Sequence, residues 1–331
     1  MNTPATIDVV GIGNAIVDVI AHADDAFLAR HGMAKGSMAL IDESRAGTIY
    51  ALMDKGLESS GGSAGNTVAG IASLGGTAGY IGKVRDDALG KSYRRDITEA
   101  GIAFTTPAAT EGPTTALCLI LVTPDAQRTM NTYLGACINL TPDDIDVALI
   151  ESAQITYLEG YLFDPPHAQE AFRKAARVAH AAGRKVSLSL SDAFCVHRHR
   201  EAFLDLLEHH VDVLFANEAE IAALFETEDQ GAAVQRLRPL ADIAAITRGA
   251  RGSLIVSGHE TIEVPAAHVA AVIDTTGAGD LYAAGFLCGL TSGRTLAECG
   301  RLGSLAAAEV ISHFGGRPES PLVDYVAAAA T

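Results

Sequence analysis

The chain has 331 residues, a formal net charge of −16 at pH 7 and a sequence pI near 5.0. Duplex nucleic acid and anionic membranes are poor partners for such a chain, because both are bound through clustered Lys and Arg that it lacks. With 48% hydrophobic and 19% charged residues, the composition excludes a disordered chain and allows one large core, or a core with a small appended domain.

Five cysteines are spread along the chain without a CxxC pair or zinc-like spacing to histidine. Several lie in apolar runs, such as Cys118, so we expect buried and reduced thiols. The amino terminus lacks the basic segment of a secretory signal, and no apolar run approaches the ~20 residues of a membrane span. These features predict a cytoplasmic protein without a membrane partner.

Short apolar runs alternate with segments of helical periodicity along most of the chain, a pattern typical of βαβ units and a parallel sheet. The predicted strands lie at 7–12, 155–159, 185–190, 211–216, 242–247, 253–257 and 261–264. The predicted helices lie at 64–74, 87–100, 167–182, 279–290 and 295–313. We therefore expect the α/β class, with a central mostly parallel sheet flanked by helices.

Two stretches, at about 16–60 and 105–135, depart from this alternation. Within the second stretch, 116–123 and 128–134 resemble antiparallel strands joined by a turn at 124–127. We interpret both stretches as insertions that form a small sheet beside the main body, within a single domain of residues 1–331.

Two glycine-rich segments resemble nucleotide-binding motifs, and each fails at one residue. Residues 11–16 (GIGNAI) follow a strand, but Ile16 replaces the third glycine of the dinucleotide motif G-x-G-x-x-G. Residues 90–92 (GKS) mimic the end of a P-loop, but Arg85 stands where that motif begins with glycine, and the segment lies in a helical pattern. We therefore set aside a dehydrogenase and a P-loop enzyme.

A third segment, residues 274–280 (DTTGAGD), precedes an apolar helical pattern. Gly277, Ala278 and Gly279 carry little or no side chain, so their backbone N–H groups can approach an anion at the positive end of the helix. Such an anion hole would stabilise a transferring phosphoryl group, and Asp280 could accept the proton of an attacking hydroxyl. A tight turn with Asp280 as an ordinary helix N-cap explains the same residues equally well.

Residues 274–285 resemble, position by position, the carboxy-terminal signature of the PfkB-type carbohydrate kinases, the ribokinase superfamily. Three further segments resemble motifs of that family in the same order: 61–66 (GGSAGN), 217–220 (NEAE) and 247–252 (TRGARG). The resemblance implies a ribokinase-like fold whose small β-sheet is a lid over the substrate. It also implies transfer of the γ-phosphoryl group of ATP to a hydroxymethyl group of a sugar or nucleoside.

The resemblance further implies roles for individual residues around that reaction. Asp280 would be the base, and the amides of residues 277–280 would hold the phosphoryl group. Gly62 and Asn66 would contact hydroxyls of the substrate, since the amide of Asn66 offers both a donor and an acceptor.

The resemblance also implies a site for ATP with Mg²⁺. The residues assigned to it are Asn217, Glu220, Thr247, Gly249 and Gly252. Glu220 would lie near Mg²⁺, reached through water, although Asn217 and Glu220 are also spaced as a helix capping box. Residues 247–252 could likewise be a plain connection between strands. Asp274 and Thr276 fall where many family members bind a monovalent cation such as K⁺.

The spacing after the first strand bears on the substrate. Asn14 and Asp18 are four positions apart, which resembles the adenosine-kinase branch, whereas ribokinase-type sugar kinases usually carry Asn and Asp two apart. A carboxylate there suits a cis-diol, because it can accept hydrogen bonds from both ribose hydroxyls. A purine would also require an apolar clamp, for which Phe27, Phe104 and Tyr133 are candidates.

We therefore expect phosphorylation of an adenosine-like nucleoside at its 5′ position. A kinase for a ribose- or fructose-type sugar is the alternative, and a non-catalytic sensor of either ligand is a third interpretation. The expected partners are ATP and the small substrate, and the expected assembly is a monomer or homodimer.

Overall fold

The computed structural model describes residues 4–53, 56–125 and 127–329, with Leu57 described by its backbone alone. Within these ranges the chain forms thirteen strands, β1–β13, and twelve α-helices, α1–α12. The predicted turn at 124–127 includes Ala126, which lies outside the described residues.

The strands occur in two groups along the chain. They are β1 Ile7–Ile12, β2 Ile16–His22, β3 Met38–Leu40, β4 Leu57–Ser60, β5 Ala78–Ile81, β6 Ala116–Val122, β7 Arg128–Tyr133, β8 Ala153–Glu159, β9 Lys185–Ser189, β10 Val213–Asn217, β11 Ile243–Thr247, β12 Ser253–Ser257 and β13 Glu260–Val264. Each predicted strand is present, with boundaries shifted by at most two residues.

The helices connect these strands and include the five that were predicted. They are α1 Asp25–Arg30, α2 Glu43–Leu52, α3 Ser63–Ser73, α4 Ala88–Glu99, α5 Val147–Ser152, α6 Pro166–Ala181, α7 Ala193–His210, α8 Glu218–Phe225, α9 Gln230–Leu237, α10 Ala278–Thr291, α11 Leu296–Val310 and α12 Leu322–Ala328. Among the described helices, none combines the length and apolar character that a membrane crossing requires.

The main sheet has eight strands in the order β13-β12-β11-β10-β9-β8-β1-β5. The strands from β11 to β5 pair in parallel, and the hairpin of β12 and β13 adds two antiparallel strands at one edge. Alternate strand residues face opposite sides. Val9 and Tyr157 join one core with α3, α10 and α11, whereas Val10 and Leu158 join a second core with α5 to α9. The expected helix-flanked α/β sheet is confirmed.

A second sheet has five strands in the order β3-β7-β6-β2-β4, drawn from the two stretches that departed from the main alternation. β6 and β7 pair antiparallel, as expected, and β2 lies between β6 and β4. Since β1 ends at Ile12 and β2 begins at Ile16, the chain passes from one sheet to the other across three residues. The loop that carries Asn14 therefore lies at the junction of the two sheets.

The two glycine segments that were set aside have structural roles. β1 is followed by a strand and not by the helix that a dinucleotide motif requires. Gly90 lies in the first turn of α4, where its N–H donates to the N-cap carboxylate of Asp87 at 2.8 Å. That segment is an ordinary helix start.

The predicted helix at 295–313 is too long, because α11 ends at Val310. The buried carboxylate of Glu309 accepts hydrogen bonds from the backbone of residues 319 and 320, at 3.2 and 3.1 Å. This anchor holds a returning segment after the helix. That segment places Gly316 against the start of α10.

Candidate active site

The carboxyl ends of the parallel strands meet at one edge of the main sheet. Asn14 follows β1, Glu159 ends β8, and Asn217 and Thr247 end β10 and β11 as register partners. Ligands of open α/β sheets bind at this edge. The second sheet joins the main sheet at the same edge through β2, so the predicted motifs converge on one cleft.

Asp280 is the third residue of α10, whose N-cap is Gly277 without a side-chain cap hydrogen bond. Its carboxylate accepts hydrogen bonds from Ser63 Oγ at 2.6 Å and Asn66 Nδ2 at 3.0 Å. Burial raises the pKa of Asp280, and these two hydrogen bonds oppose that shift. The alternative of an ordinary N-cap is therefore wrong, because the side chain is committed to α3 instead of its own helix end.

The loop before α10 presents free backbone donors. Gly277 has a φ of +76°, and a Cβ atom there would lie 2.7 Å from Gly316, so the turn requires glycine. The N–H of Ala278 donates to Thr275 O at 3.2 Å. Among the described residues, no partner exists for the N–H groups of Gly277, Gly279 and Asp280. The expected anion hole thus retains three donors, while the amide of Ala278 is already used.

Asp18 lies on β2 and faces the same cleft. Within the described ranges, no group makes a hydrogen bond or ion pair to its carboxylate. Burial raises the pKa of Asp18 to about 6, and the positive charges of Arg317 and Arg128 oppose this shift. A Cβ atom on Gly61 would collide with the carboxylate, which explains glycine at that position of the GGSAGN motif.

The two predicted asparagines each have a buried amide oxygen that has no partner among the described residues. Asn14 donates from its backbone N and Nδ2 to Glu159 Oε1, at 3.2 and 2.9 Å. Gly62 is the N-cap of α3 with a φ of +86°, and a Cβ atom there would collide with Asn14 O. Gly62 therefore allows α3 to start against the β1 loop, and the unsatisfied oxygens of Asn14 and Asn66 are free for a ligand.

Glu159 is a site residue that the motifs did not reveal. Besides Asn14, its carboxylate accepts a hydrogen bond from the N–H of Ala64, at 2.7 Å. Burial raises the pKa of Glu159 to about 7, against the effect of its hydrogen bonds, and the charge of Asp280 adds to the rise. A carboxylate at the carboxyl end of an apolar strand was the signal that could have identified it.

Asn217 and Glu220 form the capping box that their spacing predicts. Glu220 N donates to Asn217 Oδ1, and Glu220 Oε2 accepts from Asn217 N, both at 2.9 Å. Burial raises the pKa of Glu220 to about 7, and the nearby charge of Asp192 adds to the rise. The described residues contain no cluster of three metal-binding side chains. A single carboxylate still fits Mg²⁺ that keeps its waters and is held chiefly by phosphates.

The segment 247–252 makes a tight connection between β11 and β12. The N–H of Arg248 donates to Gly252 O at 2.7 Å, and a Cβ atom on Gly252 would collide with Val264 O. Gly249 has open space around it instead. Gly252 therefore has a structural role, and the open backbone at Gly249 remains available to a nucleotide.

Asp274 and Thr276 do not fit a monovalent-cation site in this arrangement. The guanidinium of Arg128, from β7, pairs with the Asp274 carboxylate and donates to Thr276 Oγ1 at 2.6 Å. Asp274 also accepts from Thr276 N at 3.0 Å and from Gly315 N at 2.9 Å. The guanidinium of Arg128 already contacts both residues that were expected to bind the cation, so their side chains are not free to hold K⁺.

Of the three aromatic candidates for a purine clamp, Phe104 lies in the core. Phe104 packs into the core, with ring centroids 5.4 Å from Tyr80 and 6.0 Å from Tyr93. Phe27, on α1, contacts His31 just after that helix, at 4.5 Å between ring centroids. Tyr133 is buried on β7. Phe104 is thus a core residue, and its apolar character alone did not distinguish the two roles.

Two solved structures resemble the whole fold. The crystal structure of adenosine kinase from Sinorhizobium meliloti is 51% identical, with a TM-score of 0.91, over 99% of this chain and 100% of that chain. The crystal structure of a probable sugar kinase protein from Rhizobium etli CFN 42 is 46% identical, with a TM-score of 0.92, over 98% of this chain and 99% of that chain. These alignments include both sheets, so the expected ribokinase-like fold is confirmed.

Sequence comparisons give the same family. The adenosine kinase of Saccharomyces cerevisiae is 28% identical over 97% of this chain and 99% of its own length. The sequence model of the pfkB family carbohydrate kinases matches residues 38–322, which include the four segments at 61–66, 217–220, 247–252 and 274–285. Since that match spans most of the sequence, this chain belongs to the pfkB family of carbohydrate kinases.

Proposed function

We propose that this chain is an ATP-dependent kinase that transfers the γ-phosphoryl group to the 5′ hydroxyl of an adenosine-like nucleoside. The observation that carries the proposal is the pair of carboxylates in one cleft. Asp280 is oriented by two hydrogen bonds. Asp18, whose pKa is raised by the charge of Asp280, has no partner among the described residues. A ribose has its 5′ hydroxyl at one end and its 2′,3′-diol at the other, so one sugar can engage both carboxylates.

In this proposal Asp280 accepts the proton of the attacking hydroxyl. Its raised pKa makes it a better base than an exposed aspartate, and Ser63 and Asn66 fix its direction. The free N–H groups of Gly277, Gly279 and Asp280 stabilise charge on the transferring group. Glu220 would hold Mg²⁺ through water, and the ion would supply further charge neutralisation for the phosphates.

ATP is placed along the remaining strand ends. Asn217 and Thr247 are register partners there, and Gly249 offers open backbone beside them. This assignment leaves the cleft between Asp18 and Asp280 to the acceptor. It also brings the γ-phosphate toward the amides at the start of α10.

The small sheet is proposed to act as a lid, built by the stretches at about 16–60 and 105–135. Asp18 and Arg128 both belong to this sheet, yet both reach the site. Closure would exclude water, which otherwise would accept the phosphoryl group.

The five free cysteines, four of them buried, support a reducing cytoplasmic location.

The nucleoside is favoured by the spacing of Asn14 and Asp18 and by the Sinorhizobium meliloti and yeast relatives that are named adenosine kinases. A sugar substrate is the second candidate, because the Rhizobium etli relative is named a probable sugar kinase and Phe104 cannot clamp a purine from the core.

The deciding experiment measures ADP release with a panel of nucleosides and free sugars under saturating Mg²⁺–ATP. We expect adenosine to give the highest kcat/KM. A higher kcat/KM for ribose or fructose would overturn the nucleoside assignment and retain the kinase. Tight binding of a ligand without turnover of any would favour the sensor.

A further inference from the structure

Arg317 carries a buried positive charge that the mechanism above does not use. Its Nε and Nη2 atoms are buried and have no hydrogen-bond partner among the described residues. Leaving a buried donor of a charged group without a partner lowers the free energy of unfolding, so such donors usually meet a ligand or ordered water. Arg317 is therefore a candidate for contact with something that enters the site.

The surroundings place this guanidinium beside the first turn of α3. A Cβ atom on Gly65 would lie 3.6 Å from Arg317 Nη2 and 2.8 Å from Tyr93 Oη. A Cβ atom on the preceding Gly316 would lie 2.7 Å from Asn66 Nδ2. Glycines at 65 and 316 thus leave the space in which the Arg317 side chain approaches the turn that holds Asn66.

Among the carboxylates near Arg317, Asp18 has the strongest electrostatic effect on this guanidinium. The positive charge of Arg317 lowers the pKa of Asp18 more than any other charge does. The charge of Asp18 in turn raises the pKa of Arg317. Within the described residues, however, no ion pair of 4.0 Å or less joins them. The two groups therefore interact without direct contact, and the Asp18 acceptors and the Arg317 donors at Nε and Nη2 all lack partners among the described residues.

We propose that Arg317 is a specificity-determining residue that donates from Nε and Nη2 to oxygen atoms of the substrate diol whose hydroxyls donate to Asp18. A hydroxyl is both a donor and an acceptor, so a vicinal diol bound between the two residues satisfies the carboxylate and the guanidinium together. This inference rests on the proposed nucleoside kinase and adds a second residue to its recognition of ribose.

The charges also select the class of acceptor. Asp18 and Arg317 together are neutral, and Arg128, the next positive group, already pairs with Asp274. With Asp280 also acidic, the acceptor cleft offers no unbalanced positive charge to a phosphorylated or carboxylated sugar. Arg317 therefore favours a neutral polyol with adjacent hydroxyls over an anionic one.

The test compares Arg317→Met and Arg317→Lys with the wild type on adenosine, 2′-deoxyadenosine and 3′-deoxyadenosine. Arg317→Met should lower kcat/KM for adenosine about 10–100-fold, the size expected for a charged hydrogen bond. Its preference for adenosine over at least one deoxy analogue should shrink about tenfold, because the lost donor no longer discriminates. Both the kcat/KM and the preference of Arg317→Lys should lie between those of the wild type and Arg317→Met, since lysine keeps the charge but lacks the planar guanidinium with its paired donors.

Controls separate a recognition role from a folding role. Arg301→Met, on the exposed side of α11, should match the wild type in activity and in thermal melting. Addition of guanidinium at millimolar concentration to Arg317→Ala should restore part of the adenosine activity. Rescue of activity without a rise in the melting temperature identifies a recognition role, so this arm stays informative even if a variant melts early.

Two negative outcomes are distinguishable. An unchanged preference over both deoxy analogues in Arg317→Met, with no guanidinium rescue, would overturn this inference and leave the nucleoside kinase intact. Absence of nucleoside turnover by the wild type would overturn the proposed function, and this inference with it.

Discussion

Asn66 Nδ2 lies 3.0 Å from Asp280 Oδ2, although the two residues are 214 positions apart in the chain. The contact joins the GGSAGN motif at the start of α3 to the DTTGAGD motif at the start of α10. Two helix amino termini thus converge on one carboxylate. Their combined positive ends favour an anionic group in this part of the cleft.

The first prediction concerns the base. Asp280→Asn should lower kcat by ~10²–10⁴ with little change in substrate affinity, because proton transfer is lost while most of the shape is kept. Steady-state kinetics with Mg²⁺–ATP measure it. The exposed Asp324→Asn on α12 is the matched control and should behave as wild type. Near-normal turnover of Asp280→Asn would show that another group is the base.

The second prediction separates the anion hole from the turn that builds it. Nothing lies within 4 Å of a Cβ atom on Gly279, whereas a Cβ atom on Gly277 would press against Gly316 at a φ of +76°. Gly279→Val should therefore leave thermal melting nearly unchanged and strongly reduce kcat, because the side chain occupies the space in front of the amides. Gly277→Val should lower the melting temperature. A Gly279→Val protein that melts early but turns over normally would contradict this assignment.

The third prediction concerns closure of the second sheet. Amide hydrogen exchange in the stretches 16–60 and 105–135 should slow when the true substrate is added, because closure reduces local opening. Exchange measured by mass spectrometry with and without adenosine provides the comparison, and the β9–β10 region serves as an internal reference. Slower exchange confined to the reference region would place the moving part elsewhere.

The fourth prediction concerns Asp18. If its carboxylate accepts hydrogen bonds from both ribose hydroxyls, 2′-deoxyadenosine should be a much poorer substrate than adenosine, since one hydroxyl is missing from a site built to bind it. Asp18→Ala should lower kcat/KM for both substrates and reduce the difference between them. A variant that keeps the full preference would locate the recognition of the diol at other residues.

The fifth prediction links Glu159 to pH. Its pKa is about 7 in the folded protein and 4.5 as a free side chain. The folded state therefore binds more protons than the unfolded state between these values, and Glu159 makes the free energy of unfolding decrease as pH rises from about 4.5 to 7. Glu220 contributes in the same direction, because its pKa is also raised to about 7.

Glu159→Gln should remove the share of this slope that Glu159 contributes, while Glu220 retains its own. Urea unfolding at several pH values between 4.5 and 8 measures it, with the exposed Glu201→Gln on α7 as the control. The same substitution should reduce activity, since Ala64 N loses a charged acceptor at the start of α3. A slope identical to that of the wild type would show that Glu159 does not titrate in this range.

Local patterns along the chain determined the alternation of strands and helices and the order of the four motifs. They could do so because hydrophobic periodicity and glycine-rich turns act over a few residues. The same reasoning left Asp280 open between a base and an N-cap. That question depended on whether its side chain bonds to its own helix end or to another element, and the periodicity contains no such information.

Tertiary structure decided the contacts that bring distant residues together. Glu159 is 145 positions from Asn14, Arg128 is 146 from Asp274, and Ser63 is 217 from Asp280. The end of α11 was likewise set by Glu309 holding the backbone of residues 319 and 320, which returns Arg317 to the site. Such contacts follow from strand order and packing, and no pattern within a short segment specifies which charged side chain will face which carboxylate across a cleft.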